Sequence, residues 1–508
     1  MAITINTAAF SGIDGVLVSV EIDITSGLPS FNIVGLPDTS VRESKERVRS
    51  AIINSGFDFP VNRITVNLAP ADLRKDGSQF DLPIAIGILI ATEQIKFDEL
   101  ENYIFMGELS LSGELKKVKG ALPIVIEGMK NNIKNYIVPN NNAKECSIVK
   151  NSSIYSFNDL KQVTAFLENK DMLPFIPTMD ESDISANSFN YDFEDVVGQE
   201  SAKRAIEIAA AGGHNIILFG PPGSGKSMIA YRVPSILPKL SYDEALEVTK
   251  VYSVTGNLKE EGLIKHRPFR SPHHTSSNVA LVGGGRNLIP GEISLAHNGV
   301  LFLDELLEFK KSVLEVLRQP LEDKVIRISR ATGCTSYPAN FMLVGALNPC
   351  PCGYYGSDIK QCTCSDYERK RYISKLSGPL LDRIDLFVFV ASLKYKDIKG
   401  KKRGESSTVI RKRVELARQI QKDRFSKENI YCNAQMNQKL INEYCQLSEN
   451  SGKLLEKIYE KYHLSNRAYS RILKLSRTIA DLNCREQIDE KDVIEAIQYR
   501  KFLGENII

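Results

Sequence analysis

Residues 220–227 read Gly-Pro-Pro-Gly-Ser-Gly-Lys-Ser, and each residue type at that spacing has a task in cradling a polyphosphate. Gly220, Gly223 and Gly225 let backbone N–H groups turn inward at the positive end of a following helix, with Pro221, Pro222 and Ser224 completing the loop. Lys226 supplies a point charge for the phosphates, and the Ser227 hydroxyl suits Mg²⁺. Further on, Val300–Glu305 is a run of four apolar residues ending in two carboxylates. A buried strand there delivers Asp304 to its tip to hold Mg²⁺ through water, while Glu305 polarises an attacking water. The pairing predicts hydrolysis of ATP with Mg²⁺ rather than nucleotide binding alone.

Four of the nine cysteines, Cys350, Cys352, Cys362 and Cys364, fall within fifteen residues. Two Cys-x-Cys pairs around a glycine-containing loop suit one tetrahedral structural Zn²⁺; free cytosolic thiols on a loop are the alternative. The segment 394–424 holds twelve basic and four acidic residues in a chain of net charge +3. It is either a solvated face or a set of phosphate contacts. Arg267–His274 (RPFRSPHH) suits contact with nucleic acid or with a neighbouring subunit, with no basis for choosing between them.

These groups need rigid elements behind them. At 508 residues the chain exceeds what one core of roughly 250–300 residues supports. Residues 1–170 alternate β-branched runs (15–24, 31–34, 63–68, 136–139) with helical patterns at 42–55 and 122–130. Residues 171–190 are a polar linker. Residues 191–393 again alternate strands and helices, with strands at 215–219, 299–303, 341–347 and 385–391 and the loop's helix at 227–236. A hairpin is expected between 324–331 and 335–344. Residues 394–508 read as helices at 408–424, 437–449, 452–462, 466–482 and 489–499. The longest apolar run, 82–91, is too short to cross a membrane. An odd, sparse set of cysteines and the lack of a secretory pattern at the N-terminus predict a cytoplasmic protein.

The motifs after residue 190 resemble those of the ring-forming AAA+ ATPases, in the helix-2-insert group that holds the magnesium-chelatase ATPase subunit and the MCM helicases. Phe193–Gln199 (FEDVVGQ) resembles that group's adenine-side segment. By this resemblance Ala346–Pro349 (ALNP) makes Asn348 the sensor that orients water, and Ser377–Leu386 (SGPLLDRIDL) makes Arg383 the finger inserted into a neighbour's site. Leu464–Arg471 (LSNRAYSR) makes Arg467 the second sensor, with Arg471 in reserve. The hairpin would point into a central pore and carry Arg327 and Arg330 along DNA. Stretches such as 267–285, 290–309, 321–333 and 346–356, with Ser30–Asp38 (SFNIVGLPD), are similar to the ComM/YifB family over nearly the whole chain.

The implied fold is a multidomain α/β chain. It comprises a Lon-protease-like α/β N-terminal domain, an AAA+ P-loop core with helix-2 insert and pre-sensor-1 hairpin, and an all-α C-terminal lid. Lys75–Asp81 (KDGSQFD) lies over the Lon nucleophile pattern, with Gln79 where the nucleophilic serine belongs and Leu122 near the position of its lysine. Ser78 with Lys75 or Lys119 is the one dyad left, so a binding or assembly module is expected rather than a peptidase. The family implies a homo-hexameric motor acting on single-stranded or branched DNA in recombination or natural transformation. The competing reading is a chelatase-like remodeller of a protein or metallo-cofactor partner. The chelatase proper is expected to lack the N-terminal unit.

Overall fold

The computed structural model describes residues 2–169, 173–175, 191–258, 262–285, 288–330, 333–358, 360–393, 404–428 and 430–501. The expected linker falls almost entirely outside these residues, as do residues 394–403 of the basic stretch and the hairpin tip 331–332. The described residues form two compact units, one from within 1–185 and 242–265, the other from within 186–241 and 266–508.

In the first unit, β1 (Ile3–Ser11), β2 (Asp14–Thr25), β3 (Ser30–Val34) and β4 (Arg63–Ala69) form a mixed sheet in the order β1-β2-β4-β3. Only β3 and β4 run parallel. Alternating residues Ile5, Val20, Ile22, Ile64 and Val66 are buried against the helix Asp81–Ala91, the apolar run that was too short for a membrane. A second, parallel sheet joins β5 (Tyr103–Phe105), β6 (Asn135–Pro139) and β7 (Ser153–Phe157). Residues 242–265, inside the span read as the ATPase core, group with this unit. The helix Tyr242–Thr255 packs there because the Gly120 N–H donates to the Ser253 carbonyl (3.2 Å), the Tyr242 hydroxyl to the Ile148 carbonyl (2.7 Å) and Ser253 to Glu145.

In the second unit, β8 (Ile216–Phe219), β9 (Phe269–Arg270), β10 (Val300–Leu303), β13 (Met342–Leu347) and β14 (Leu386–Phe389) form a parallel sheet in the order β9-β10-β13-β8-β14. Strands covered on both faces read as continuous apolar runs, and Ile216–Phe219, Val300–Leu303 and Met342–Leu347 are buried at every residue. The hairpin pairs β11 (Val325–Arg330) with β12 (Gly333–Pro338). The expected strand 335–344 therefore breaks after Pro338, and its second half enters the parallel sheet. The phosphate-loop helix also divides, into Lys226–Ala230 and Val233–Ile236, with Pro234 in the first turn of the second piece.

The C-terminal helices are Ser407–Arg424, Gln438–Tyr444, Glu449–Tyr462, Asn466–Leu482 and Glu490–Gln498. The expected helix 437–449 stops at Tyr444, and a new one starts at the Ser448 cap, whose side chain accepts from the Ser451 N–H. No helix among the described residues is long and apolar enough to cross a membrane.

One buried carboxylate ties this helical part to the sheet. Asp385 accepts from Arg471 and from the Asn215 N–H (3.0 Å), and His214 Nδ1 stands 3.5 Å away. Burial pushes its pKa up, but Arg471, His214 and the Asn215 N–H more than offset this and hold it well below the usual range. Asp385→Asn leaves Arg471 and its surroundings uncompensated and should lower stability by about 3 kcal/mol near neutral pH. Because the folded pKa is depressed, that difference should shrink as pH falls below about 4. Urea midpoints of the two chains at pH 7 and pH 3.5 check both statements.

Candidate nucleotide site

The loop after β8 has the shape its residues predict. Gly223 and Gly225 adopt φ +74° and +93°, and a Cβ on Gly220 would meet the Val390 carbonyl oxygen at 2.2 Å. Lys226 is buried, and its ammonium donates to the Gly220 and Pro221 carbonyls (2.8 and 2.9 Å) and to Asn348 Oδ1 (3.2 Å). Burial pushes its pKa down to about 8. The Ser227 hydroxyl donates to Asp304 Oδ2 at 2.7 Å, and the Glu305 N–H donates to Asp304 Oδ1 at 2.9 Å. Glu305 takes a left-handed backbone (φ +50°), which turns it out of strand β10. Lys226, Ser227, Asp304 and Asn348 thus converge at the C-terminal ends of adjacent parallel strands, where α/β sheets bind ligands.

The donor set fits a nucleotide with its metal. A hydroxyl beside a carboxylate offers oxygen to a hard cation. Ser224 Oγ is buried without a hydrogen-bond partner, and space is open around Gly223. Ser227 and Asp304 would hold Mg²⁺, which supplies charge neutralisation at the transferring phosphate.

Two neighbours fall inside segments the sequence singles out, 193–199 and 267–274, but it does not foretell the contacts they make here. His274 Nδ1 lies 3.3 Å from Glu305 Oε2. Gln199 donates to the Ala391 carbonyl (2.6 Å) and the Ser224 carbonyl (3.3 Å), fastening the segment that precedes it to the loop. No local signal marks either contact, since both partners are distant in sequence.

Arg383 and Arg467 stand in a different group. Arg383 donates to the Pro379 carbonyl (2.7 Å) and pairs with Glu322, lining a groove with Glu315, Arg318 and Gln319. Burial first, then the charges of Arg318, Arg467 and Arg471, push the Arg383 pKa below its ordinary value. Arg467 is exposed and lies 3.3 Å from Asp382, whereas Arg471 is committed to Asp385.

The basic candidates divide as well. Along β11, Ile326 and Ile328 are buried and Arg327 is exposed on the opposite face. The Arg330 side chain lies outside the described residues, although its backbone pairs with Gly333. In the 394–424 stretch, Arg411 donates to the Ser235 carbonyl, Arg413 pairs with Glu207 and Glu405, Arg418 donates to the Ala210 carbonyl, and Arg424 pairs with Asp481. These four guanidiniums hold the helix in place. In the Arg267–His274 segment, Arg267 donates to the Pro238 and Asn298 carbonyls, and Arg270 grips Glu292 with both ends (2.6 and 2.7 Å).

In the first unit, Ser78 bonds to Glu108, Lys75 is buried against the Pro70 carbonyl, and Gln79 donates to the Asp76 carbonyl. Ser78 and Lys75 are therefore each spent on other partners. The four clustered cysteines bring their sulfurs within 4.8 Å of one another.

A parallel sheet with a phosphate loop, two strand-tip carboxylates and an adjacent asparagine defines a P-loop nucleotide hydrolase site. Residues 192–398 match the family described as magnesium chelatase, subunit ChlI, and residues 404–500 match its C-terminal part. Residues 20–142 match subunit ChlI of Mg-chelatase, so the N-terminal unit does not by itself set this chain apart from chelatase relatives. Competence protein ComM of Haemophilus influenzae is 45% identical over 97% of this chain and 96% of its own. YifB of Salmonella typhimurium is 43% identical over 98% and 96%. The magnesium-chelatase 67 kDa subunit of Chlorobaculum parvum is 29% identical over 31% of this chain and 23% of its own. The chain belongs to the ComM/YifB family of magnesium-chelatase-like AAA+ ATPases.

Nucleotide phosphates need the charged form of Lys226, which the free protein loses as pH rises through about 8. ATP affinity should be level from pH 6.5 to 7.5 and fall up to about tenfold per unit above pH 8. Lys226→Arg, whose charge does not titrate, should flatten that decline. Titration with a fluorescent ATP analogue across pH measures both.

Proposed function

We propose that this chain is a cytoplasmic, DNA-directed ring motor, a homo-hexamer in which ATP is hydrolysed between subunits. The observation that carries the reading is the division of the catalytic set. The loop, Asp304, Glu305 and Asn348 converge, while Arg383 and Arg467 gather around Asp382, Glu322 and the groove beside them. Two arginines held by carboxylates apart from the loop are suited to exchange those partners for the phosphates of a neighbour's nucleotide, the role of an arginine finger supplied in trans. Asn348, hydrogen-bonded to Lys226, orients the attacking water, and Glu305 accepts its proton. His274 beside Glu305 is placed to hold that carboxylate in position.

The motor's track is DNA, single-stranded or branched, and branch migration during recombination or transformation is the fitting task. What supports this is the relationship to a competence protein, together with Arg327 on the open face of a hairpin between the two catalytic strands. Arg330, at the pairing position beside the hairpin tip, is the second proposed contact. The N-terminal α/β unit, with Ser78 and Lys75 engaged elsewhere, acts as a binding or assembly module of Lon-like fold.

ATPase rates with and without single-stranded and branched DNA test the proposal. The expected result is stimulation of several-fold that weakens with salt and is lost in Arg327→Ala. Glu305→Gln should bind ATP but turn over at least about a hundredfold more slowly. No stimulation and no band shift at low salt would overturn the DNA reading in favour of a chelatase-like remodeller of a protein or metallo-cofactor partner.

A further inference from the structure

We propose that Cys350, Cys352, Cys362 and Cys364 form a tetrahedral thiolate site for Zn²⁺, and that the loaded loop holds the phosphate loop in its nucleotide-binding shape. The sulfurs of Cys350 and Cys352 are 3.4 Å apart, those of Cys350 and Cys362 3.6 Å, and those of Cys352 and Cys362 3.5 Å. These spacings are far too long for a disulfide. They lie close to the edge of about 3.8 Å of a tetrahedron with metal–sulfur bonds of about 2.3 Å. Two backbone groups point at the sulfurs: the Cys352 N–H at Cys364 Sγ and the Tyr355 N–H at Cys350 Sγ, each at 3.4 Å. Such donors orient and stabilise metal-bound thiolates. Four thiolates with no oxygen or imidazole select a soft or borderline tetrahedral cation, and Zn²⁺ meets that demand without redox chemistry.

The position of the site gives it a task. Cys350 comes two residues after Asn348, at the end of β13. Gly353 (φ +83°) presses so closely on the phosphate loop that a Cβ there would sit 2.8 Å from Pro222 Cγ and Cδ. On the far side of the cluster, a capping box at Ser365 starts the helix Asp366–Ile373. The Tyr372 hydroxyl of this helix donates to Glu308 (3.1 Å), and Lys375 just beyond it donates to the Leu307 carbonyl (2.7 Å). The metal would therefore clamp together the ends of a loop that starts at Asn348, touches Pro222 and finishes on the turn after Glu305. A cross-link of this kind makes metal affinity and local folding one equilibrium.

The coupling rests on the reading of residues 220–227 as the ATP site, whereas the metal site does not. Elemental analysis of the full chain, purified under reducing, chelator-free conditions, should find about one zinc per chain. Cys362→Ser should lose it, and Cys334→Ser, an exposed cysteine on the hairpin, should keep it. Co²⁺ added to stripped protein should give the spectrum of tetrahedral thiolate ligation. Reversible stripping by a chelator should weaken binding of a fluorescent ATP analogue on the order of tenfold, with recovery on adding zinc. Gly353→Ala should retain zinc yet bind the analogue more weakly. No stoichiometric metal, with the cluster thiols reacting freely alongside the exposed Cys334 and Cys484, or iron in place of zinc, overturns the zinc site. Nucleotide affinity that ignores stripping and Gly353→Ala overturns the coupling. A chain that holds zinc but never binds nucleotide contradicts the ATP reading and the coupling with it, and supports the metal site.

Discussion

The parallel register of three strands sets the geometry on which the candidate nucleotide site depends. Phe219 pairs with Leu347 and Leu303 with Gly345, so β8, β13 and β10 end side by side. The residues that follow each strand are then neighbours, although Lys226 and Asn348 are 122 positions apart. A slip of one residue would move each of these side chains to the opposite buried face, where close packing against different neighbours penalises the misfit. The hydrophobic effect in this sheet, rather than any polar contact, places a lysine, a serine and two acids around one volume.

Electrostatics sets the two groups of cations apart. Lys226 is held out of water by burial and stabilised by three oxygen acceptors, a geometry ready for anions. Arg383 is also partly desolvated and stands among like charges, with Glu322 as its acidic partner. Asp385 fixes the arrangement from below by binding Arg471 and the start of β8, and the Arg500 guanidinium donates to the carbonyls of Ile384 and Asp385. This buried anion is thus one of several links between the sheet and the helical segment, and Arg383, Arg467 and Arg471 stand close enough for their charges to act on one another.

Much of this was legible because fully buried strands and phosphate loops have sequence signatures that do not depend on context. The runs 216–219, 300–303 and 342–347 are apolar throughout, and Gly223 and Gly225 of the loop sit where positive φ is needed. Errors arose where tertiary contacts overrode local pattern. Residues 335–344 read as one strand, but their two halves serve different sheets. The helix Tyr242–Thr255 gave no sign that its partners were Gly120, Ile148 and Glu145. The charge run at 394–424 looked available to phosphates, yet four of its arginines are occupied by carbonyls and carboxylates. His274 and Gln199 lie in segments the sequence singles out, yet their partners were not legible, because a polar side chain's partner is decided by the fold.

The central claim is that one subunit's Lys226, Asp304, Glu305 and Asn348 work with another subunit's Arg383. Mixing two inactive chains tests it most directly. Arg383→Ala keeps an intact nucleotide site, and Lys226→Ala keeps an intact arginine. Co-refolded or co-expressed mixed assemblies should regain a substantial fraction of the wild-type ATPase rate, peaking near equal amounts of the two chains. Mixed assemblies shown to contain both chains yet with no activity above either variant alone would contradict the shared site.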